Sequence, residues 1–363
     1  MAIKYKWLAG RLRELIPSYI GNGRNKLPSE QELCAKYKVS RQTVRFALAL
    51  LEEEGLIEKK RGSGSYLTGL SAGPSADEIG ILMSDDSEYI YPGVINDIRS
   101  TLAQSGFSGK VYVTRNRFQS ERQILSDLLD APPRGIIVEG SKSALPNPNL
   151  DLYRKLIRKG CIVLFLHNYY PDLNDCPYVK DDNTGGSALL VKHLVEQGHT
   201  AIGGIFKSDD QQGPERFCGF IEAMRDAHLA VPDERIGWFD SRDLDKLQRF
   251  QDTQFLKRFV LESLESCTAV ICYNDMIAYF LIKELRLAGY RLPDDMALTA
   301  FDNTYLSSSG ILYFTTLTHR SHEMGTAAAQ MMIGRLKGSP AISQEIPWRI
   351  NLKESTTEHI GLI

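Results

Sequence analysis

From Glu78 onward the chain alternates short apolar runs with amphipathic stretches, and this leaves few folds open. The apolar runs fall at 79–83, 111–114, 135–139, 161–167, 202–206, 269–273 and 296–301. Between them lie stretches with three- and four-residue apolar spacing, at 91–105, 121–129, 150–159, 185–197, 214–227, 253–266 and 275–288. Strand alternating with helix predicts an α/β fold with doubly wound parallel sheets. The length is generous for one such sheet and comfortable for two. Ligands of such sheets sit beyond the carboxyl ends of the strands. Those ends carry Asp, Asn, Arg, Lys and Tyr, groups that suit a small polyhydroxylated ligand. Asp182, Asp275 and Asp302 suit helix N-caps as well, and Glu139 with Lys142 suits a surface ion pair.

The first seventy residues follow another rule. Residues 5–20 place Trp7, Leu8, Leu12, Leu15, Ile16 and Tyr19 at helical spacing, and Gly21-Asn22-Gly23 stops them. Ser29 and Glu32 form a capping-box pattern for a short helix ending near Tyr37-Lys38. Ser40 caps a third helix with an apolar face of Val44, Ala47, Leu48 and Leu51. Arg41, Gln42, Thr43 and Arg45 lie in its first two turns. Two short strands, 56–60 and 65–68, flank Arg61-Gly62-Ser63-Gly64. Three helices and a basic, glycine-tipped hairpin predict an α+β winged helix-turn-helix. Its third helix would reach base edges, and its tip would approach the backbone or minor groove. Charge agrees: residues 1–68 hold thirteen Lys or Arg against seven Asp or Glu, although the whole chain has net charge −2. The expected domains are 1–70, a breaker-rich linker 71–77, and 78–363.

No run of eighteen apolar residues and no signal-peptide pattern is present, so the expectation is a cytoplasmic chain without a membrane partner. Six cysteines, none in a C-x-x-C pair, read as single buried thiols rather than a metal site. No cofactor is expected. Neither a phosphate-binding loop, a G-x-S-x-G elbow nor an H-E-x-x-H helix occurs, which argues against an enzyme.

The segment Leu27-Pro28-Ser29-Glu30, then Val39-Ser40-Arg41-Gln42-Thr43-Val44-Arg45, then Gly62-Ser63-Gly64-Ser65-Tyr66, resembles the winged-helix domain of GntR-type regulators. The DNA-binding set this implies is Ser29, Glu30, Ser40, Arg41, Gln42, Thr43, Arg45, Lys60, Arg61, Gly62 and Ser63. The segment Val179-Lys180-Asp181-Asp182-Asn183, with Tyr273-Asn274-Asp275 and Phe301-Asp302-Asn303, resembles the two-lobed effector domain of LacI-type regulators and periplasmic sugar-binding proteins. The fusion of the two resembles the arabinose-repressor family of Gram-positive bacteria. That resemblance implies effector contacts from Tyr89, Glu139, Lys142, His167, Asp182, Arg216, Asn274, Asp302 and His319. It departs at Asn303, where a second acidic residue is expected. The expectation is a repressor that binds operator double-stranded DNA as a homodimer and is released by a small sugar, L-arabinose, between the lobes. Another sugar, a sugar phosphate or a co-repressor mode would use the same parts.

Overall fold

The computed structural model describes residues 2–21, 26–53, 56–60, 64–67, 77–310 and 312–356. They form two compact units, Met1–Gly73 and Pro74–Ile363.

In the first unit, α1 (Ala2–Gly21), α2 (Glu30–Tyr37) and α3 (Arg41–Glu53) precede an antiparallel hairpin of β1 (Ile57–Lys60) and β2 (Gly64–Leu67). Ser29 caps α2 in a reciprocal capping box with Glu32, as the spacing predicts. Val44, Ala47, Leu48 and Leu51 put one face of α3 into a core shared with Leu8, Leu12, Leu33 and Ile57. Each fully buried leucine there contributes roughly 2–3 kcal/mol. Trp7, expected on the inner face, is half exposed and meets Tyr37 edge-on.

The second unit has two six-stranded sheets. The first-lobe strands are β3 (Glu78–Met83), β4 (Ser108–Val113), β5 (Gly135–Val138), β6 (Ile162–Leu166) and β7 (Tyr178–Asp181). They alternate with α4 (Tyr91–Gln104), α5 (Phe118–Asp130) and α6 (Leu150–Arg158). The second-lobe strands are β8 (Ile202–Lys207), β9 (Ile236–Phe239), β10 (Ala269–Cys272), β11 (Ala297–Phe301) and β12 (Thr315–Thr318). They alternate with α7 (Asn183–Glu196), α8 (Gln212–Asp226), α9 (Ser241–Phe250), α10 (Gln254–Ser263) and α11 (Asp275–Leu287). The chain then returns: α12 (Glu323–Leu336) packs on α4, β13 (Gln344–Ile346) joins β7, and β14 (Arg349–Asn351) joins β12. The main chain therefore crosses between lobes three times, at Asp181–Asn183, at 319–322 and at Pro347-Trp348.

Alternate residues of one strand serve opposite faces. Ile79, Ile81 and Met83 pack under α4 and α12, whereas Leu82 packs with Ile136 and Val138 under α5 and α6. In each sheet the order reverses beside the first strand. The strand β3 lies between β4 and β5, and β8 lies between β9 and β10. Both reversals open a crevice at the carboxyl ends.

All seven expected strands form. Five strands (β7, β9, β12, β13 and β14) and two helices (α9 and α12) were not expected. The five strands are three or four residues long and α12 is rich in small residues, whereas α9 carries Leu244 and Leu247 at helical spacing in an otherwise polar stretch. Contrary to the expectation of buried thiols, Cys34 is only half-buried and Cys218 is exposed, the latter because it lies on the outer side of α8.

Candidate functional site

In the head, the Ser40 hydroxyl accepts from the Thr43 amide at 3.2 Å, which starts α3. Arg41, Gln42 and Arg45 are exposed and Thr43 is half-buried. The face opposite Val44 and Leu48 is therefore a row of donors. Arg45 pairs with Glu30 of α2 at 3.1 Å, so two expected DNA contacts are mutual partners. Exposed pairs of this kind contribute little to stability, and they exchange readily for a phosphate or base partner. The Lys60 side chain and Arg61, Gly62 and Ser63 lie outside the described residues.

The second unit holds a cavity of about 380 Å³ between its lobes. It sits at both strand-order reversals. Tyr89 and Tyr91 follow β3, and Glu139 follows β5. Lys207 and Asp210 stand at the end of β8, and Tyr273 and Asn274 follow β10. Seven of the nine expected effector residues line it: Tyr89, Glu139, His167, Arg216, Asn274, Asp302 and His319.

Lys142 and Asp182 do not line it. The Lys142 ammonium instead faces Asp209 of the other lobe at 3.5 Å. It is not the partner of Glu139, which accepts from the Ser84 amide at 2.8 Å and the Tyr91 hydroxyl at 3.3 Å. Asp182 caps α7 by accepting from the Gly185 amide at 2.8 Å. Its neighbour Asp181 points into the cleft, because one residue of β7 reverses the face. Asp275, another candidate cap, is also different: Asn274 caps α11, and Asp275 is buried.

Arg216 reaches the cavity from α8. Its guanidinium donates to Asn183 Oδ1 at 2.9 Å and to the carbonyl of Tyr273. It lies 4.1 Å from the Phe301 ring centre and 4.8 Å from that of Tyr273. Gly213 makes this approach possible, since a Cβ there would collide with the carbonyl of Lys207. Asp302 stands 3.7 Å from Arg216 and accepts from the Tyr89 hydroxyl at 2.6 Å, a bond from one lobe to the other. Burial, then Asp302 and Asp275, push the Tyr89 phenol well above its ordinary value, so it stays a donor.

His319 ties the crossings together. Its Nε2 lies 2.7 Å from Asp181 in the first crossing. Its Nδ1 lies 3.2 Å from the carbonyl of Pro347 in the third, and its ring stacks on Trp348 at 3.7 Å. The other oxygen of Asp181 takes His167 Nδ1 at 3.1 Å. Burial opposes the charge on Asp181, but the two histidines hold its carboxyl well below the usual range. Burial likewise opposes the His167 imidazolium, and Asp181 more than offsets it.

Buried polar groups normally find partners. Three atoms on cavity-lining residues have none among the described residues: His167 Nε2, Gln212 Oε1 and Trp348 Nε1. Tyr89, His167, Asp302 and Asn303 also hold left-handed backbone, with φ of 62°, 64°, 95° and 44°. Such non-glycine residues cost on the order of 1–3 kcal/mol each and concentrate at ligand sites. Asn303, where a second acid was expected, donates to Thr318 at 3.3 Å.

Residues that sequence reasoning did not assign to the site are Tyr91, Asp181, Lys207, Asp210, Tyr273 and Trp348. All but Trp348 stand at the strand ends where a ligand was expected. Trp348 follows the three-residue strand β13, and no sequence signal marks it.

Residues 4–67 match the model of bacterial regulatory proteins of the gntR family, and residues 191–356 match that of a periplasmic binding protein-like domain. An arabinose metabolism transcriptional repressor of Geobacillus stearothermophilus is 33% identical over 329 residues, covering 89% of each chain. One from Halalkalibacterium halodurans is 31% identical over 339 residues, covering 92% of this chain and 89% of its own. The chain belongs to the arabinose metabolism transcriptional repressor family. As a member it is a transcriptional repressor with a GntR-type DNA-binding head and a LacI-like sugar-binding domain. The fold agrees with solved structures. A transcriptional regulator CelR complexed with cellobiose has TM-score 0.66 at 19% identity, covering 93% of this chain and 94% of its own. A periplasmic binding protein/LacI transcriptional regulator of Alkaliphilus metalliredigens complexed with D-xylulofuranose has TM-score 0.64 at 18% identity, covering 78% and 100%. Among the described residues, no helix is long and apolar enough to cross a membrane.

Proposed function

We propose that the cleft binds L-arabinose and that a homodimer of this repressor holds operator DNA until the sugar arrives. The observation that carries this reading is the set of unpartnered buried polar atoms, His167 Nε2, Gln212 Oε1 and Trp348 Nε1, on residues that wall the cavity. An unmet buried polar group costs about 1–3 kcal/mol, which a hydroxylated ligand would recover. Glu139, Asp181 and Asp302 are acceptors for hydroxyls, Arg216 and Lys207 are donors, and Tyr273 and Trp348 offer faces for a sugar ring. Six carboxylates against three Lys or Arg line the cavity, which favours a neutral sugar over a sugar phosphate. The relatives' names connect the family with arabinose metabolism.

In this reading Arg41, Gln42, Thr43 and Arg45 read bases, with Arg suited to guanine and Gln to adenine. Ser29, Glu30, Ser40, Lys60 and the 61–63 tip fix the head on the backbone. The sugar bridges both lobes and so favours the closed arrangement. That shift changes the separation of the two heads, which no longer matches the half-sites. A differential affinity of about 10⁴-fold suffices for a nearly complete switch. No chemistry is performed on the sugar, and the protein works in the cytoplasm with its DNA.

The test is calorimetry with L-arabinose, D-xylose, D-ribose and arabinose 5-phosphate, paired with mobility shift of DNA from the protein's own promoter region. L-arabinose is expected to bind and to release the DNA. Binding of another sugar but not L-arabinose overturns the effector. Tighter DNA binding with the sugar would establish the co-repressor mode.

A further inference from the structure

The cleft does not end at Lys207 and Asp210. A second hollow of about 510 Å³ opens on their other side. Six residues line both spaces: Tyr89, Tyr91, Lys207, Asp210, Leu244 and Gln248. The two are therefore chambers of one cleft, divided by side chains rather than by packed main chain. The partition is the Lys207–Asp210 ion pair, braced by the Asn116 amide, which donates to Asp210 at 3.1 Å.

The wall chemistry of the second chamber selects its occupant. The first lobe supplies the turn after β3 and the residues after β4, and the second lobe supplies α9. Five carboxylates stand against Arg115, Lys207 and Arg249, so the chamber repels an anion. Three of those carboxylates are already engaged: Asp210 pairs with Lys207, Asp85 accepts from the Ser87 amide at 2.7 Å, and Asp245 pairs with Arg249 at 2.7 Å. Arg115 and Glu88 are exposed and line only this chamber. Val113 and Leu244 add apolar surface. A neutral polyol fits this mixture, and a phosphate does not.

We propose that the second chamber is a subsite for a second pentose residue, so that the cleft takes a neutral pentose disaccharide as well as the monosaccharide. This rests on the reading of the first chamber as a sugar site. The added residue gains contacts with Arg115 and Glu88, which a monosaccharide in the first chamber does not use.

Isothermal titration of the full-length protein with L-arabinose and with arabinobiose, its disaccharide, tests this. The wild type is expected to bind arabinobiose at least as tightly as arabinose. Arg115→Ala, which removes a charged donor, and Glu88→Trp, which fills the chamber, are each expected to weaken arabinobiose by about tenfold. Both should leave arabinose within about twofold of wild type. Arabinobiose binding weaker than arabinose, or untouched by both variants, overturns the second subsite. Binding of arabinobiose without arabinose removes the monosaccharide effector and keeps the subsite. Silence from both sugars removes both.

Discussion

Asp181 and His319 stand 2.7 Å apart where the first and second interlobe crossings pass each other. The same carboxylate holds His167 at 3.1 Å, so one buried charge serves both the hinge and the cavity wall. Asp181→Asn removes the charge that both imidazoles face. The loss of one partner of a buried pair costs about 3 kcal/mol. The melting temperature of the ligand domain should therefore fall by roughly 5–10 °C. The pH dependence identifies the cause. His167 is raised by Asp181, so its contribution is complete below about pH 6.5 and is lost as pH rises through its higher folded value. Asp181 is lowered, so its contribution is present above about pH 4 and is lost as acid reaches its folded value. Wild type should lose stability on the alkaline side of this window and Asp181→Asn should not. Parallel melting curves across pH 5–9 would refute the assignment.

Tyr89 in the first lobe donates to Asp302 in the second at 2.6 Å. Tyr89→Phe keeps the ring and removes the bond. A hydrogen bond to a charged acceptor contributes about 1.5–3 kcal/mol. If closed lobes bind the sugar, affinity should drop by about tenfold or more in calorimetry, while DNA affinity without sugar stays at the wild-type level. An unchanged sugar affinity would show that this bond does not hold the sugar-binding arrangement.

The two-lobed fold was legible because its central strands are continuous apolar runs such as Ile79–Met83 and Ala269–Cys272. The runs are continuous rather than alternating because both faces are buried. The site was legible only to within a residue or two. Asp182 was expected in the cleft and caps a helix, whereas its neighbour Asp181 lines the cavity. Sequence adjacency cannot say which of two aspartates faces inward without the strand register, and β7 is too short and polar to announce its own. Lys142 was misplaced for another reason. Its partner, Asp209, comes from the other lobe, and no local pattern encodes a contact across 67 positions. Trp348 depends on a third crossing formed by two three-residue strands, each specified only by its partner.

In the head, Arg41 and Gln42 are exposed on the first turn of α3, and neither shares the Glu30 contact of Arg45. Arg41→Ala should weaken operator binding by about 1–3 kcal/mol in a mobility-shift titration, with sugar affinity unchanged. If Arg41 reads a base, the loss should be greatest on the cognate operator and small on unrelated DNA. A uniform loss with a reduced salt slope would make Arg41 a phosphate contact instead.

Asp275 offers the most direct pH test. It is fully buried and accepts from the Thr316 hydroxyl at 2.6 Å and the Thr304 hydroxyl at 2.9 Å. Burial, and then the charge of Asp302, raise its carboxyl to about 7, although the threonine hydrogen bonds act the other way. Its folded value lies above the unfolded one, so the folded chain holds this proton more tightly. The stability this gives is complete below about pH 4 and is lost between there and about pH 7. Asp275→Asn copies the neutral form and cannot ionise, and the threonine hydroxyls can turn to accept from its amide. The variant should match wild type near pH 4. At pH 8 it should be the more stable of the two, by on the order of 2–4 kcal/mol. Denaturant titrations at the two pH values check this. A variant less stable than wild type at pH 8 would mean that the Thr304 and Thr316 hydrogen bonds require the ionised carboxylate, and that Asp275 is charged in the working protein.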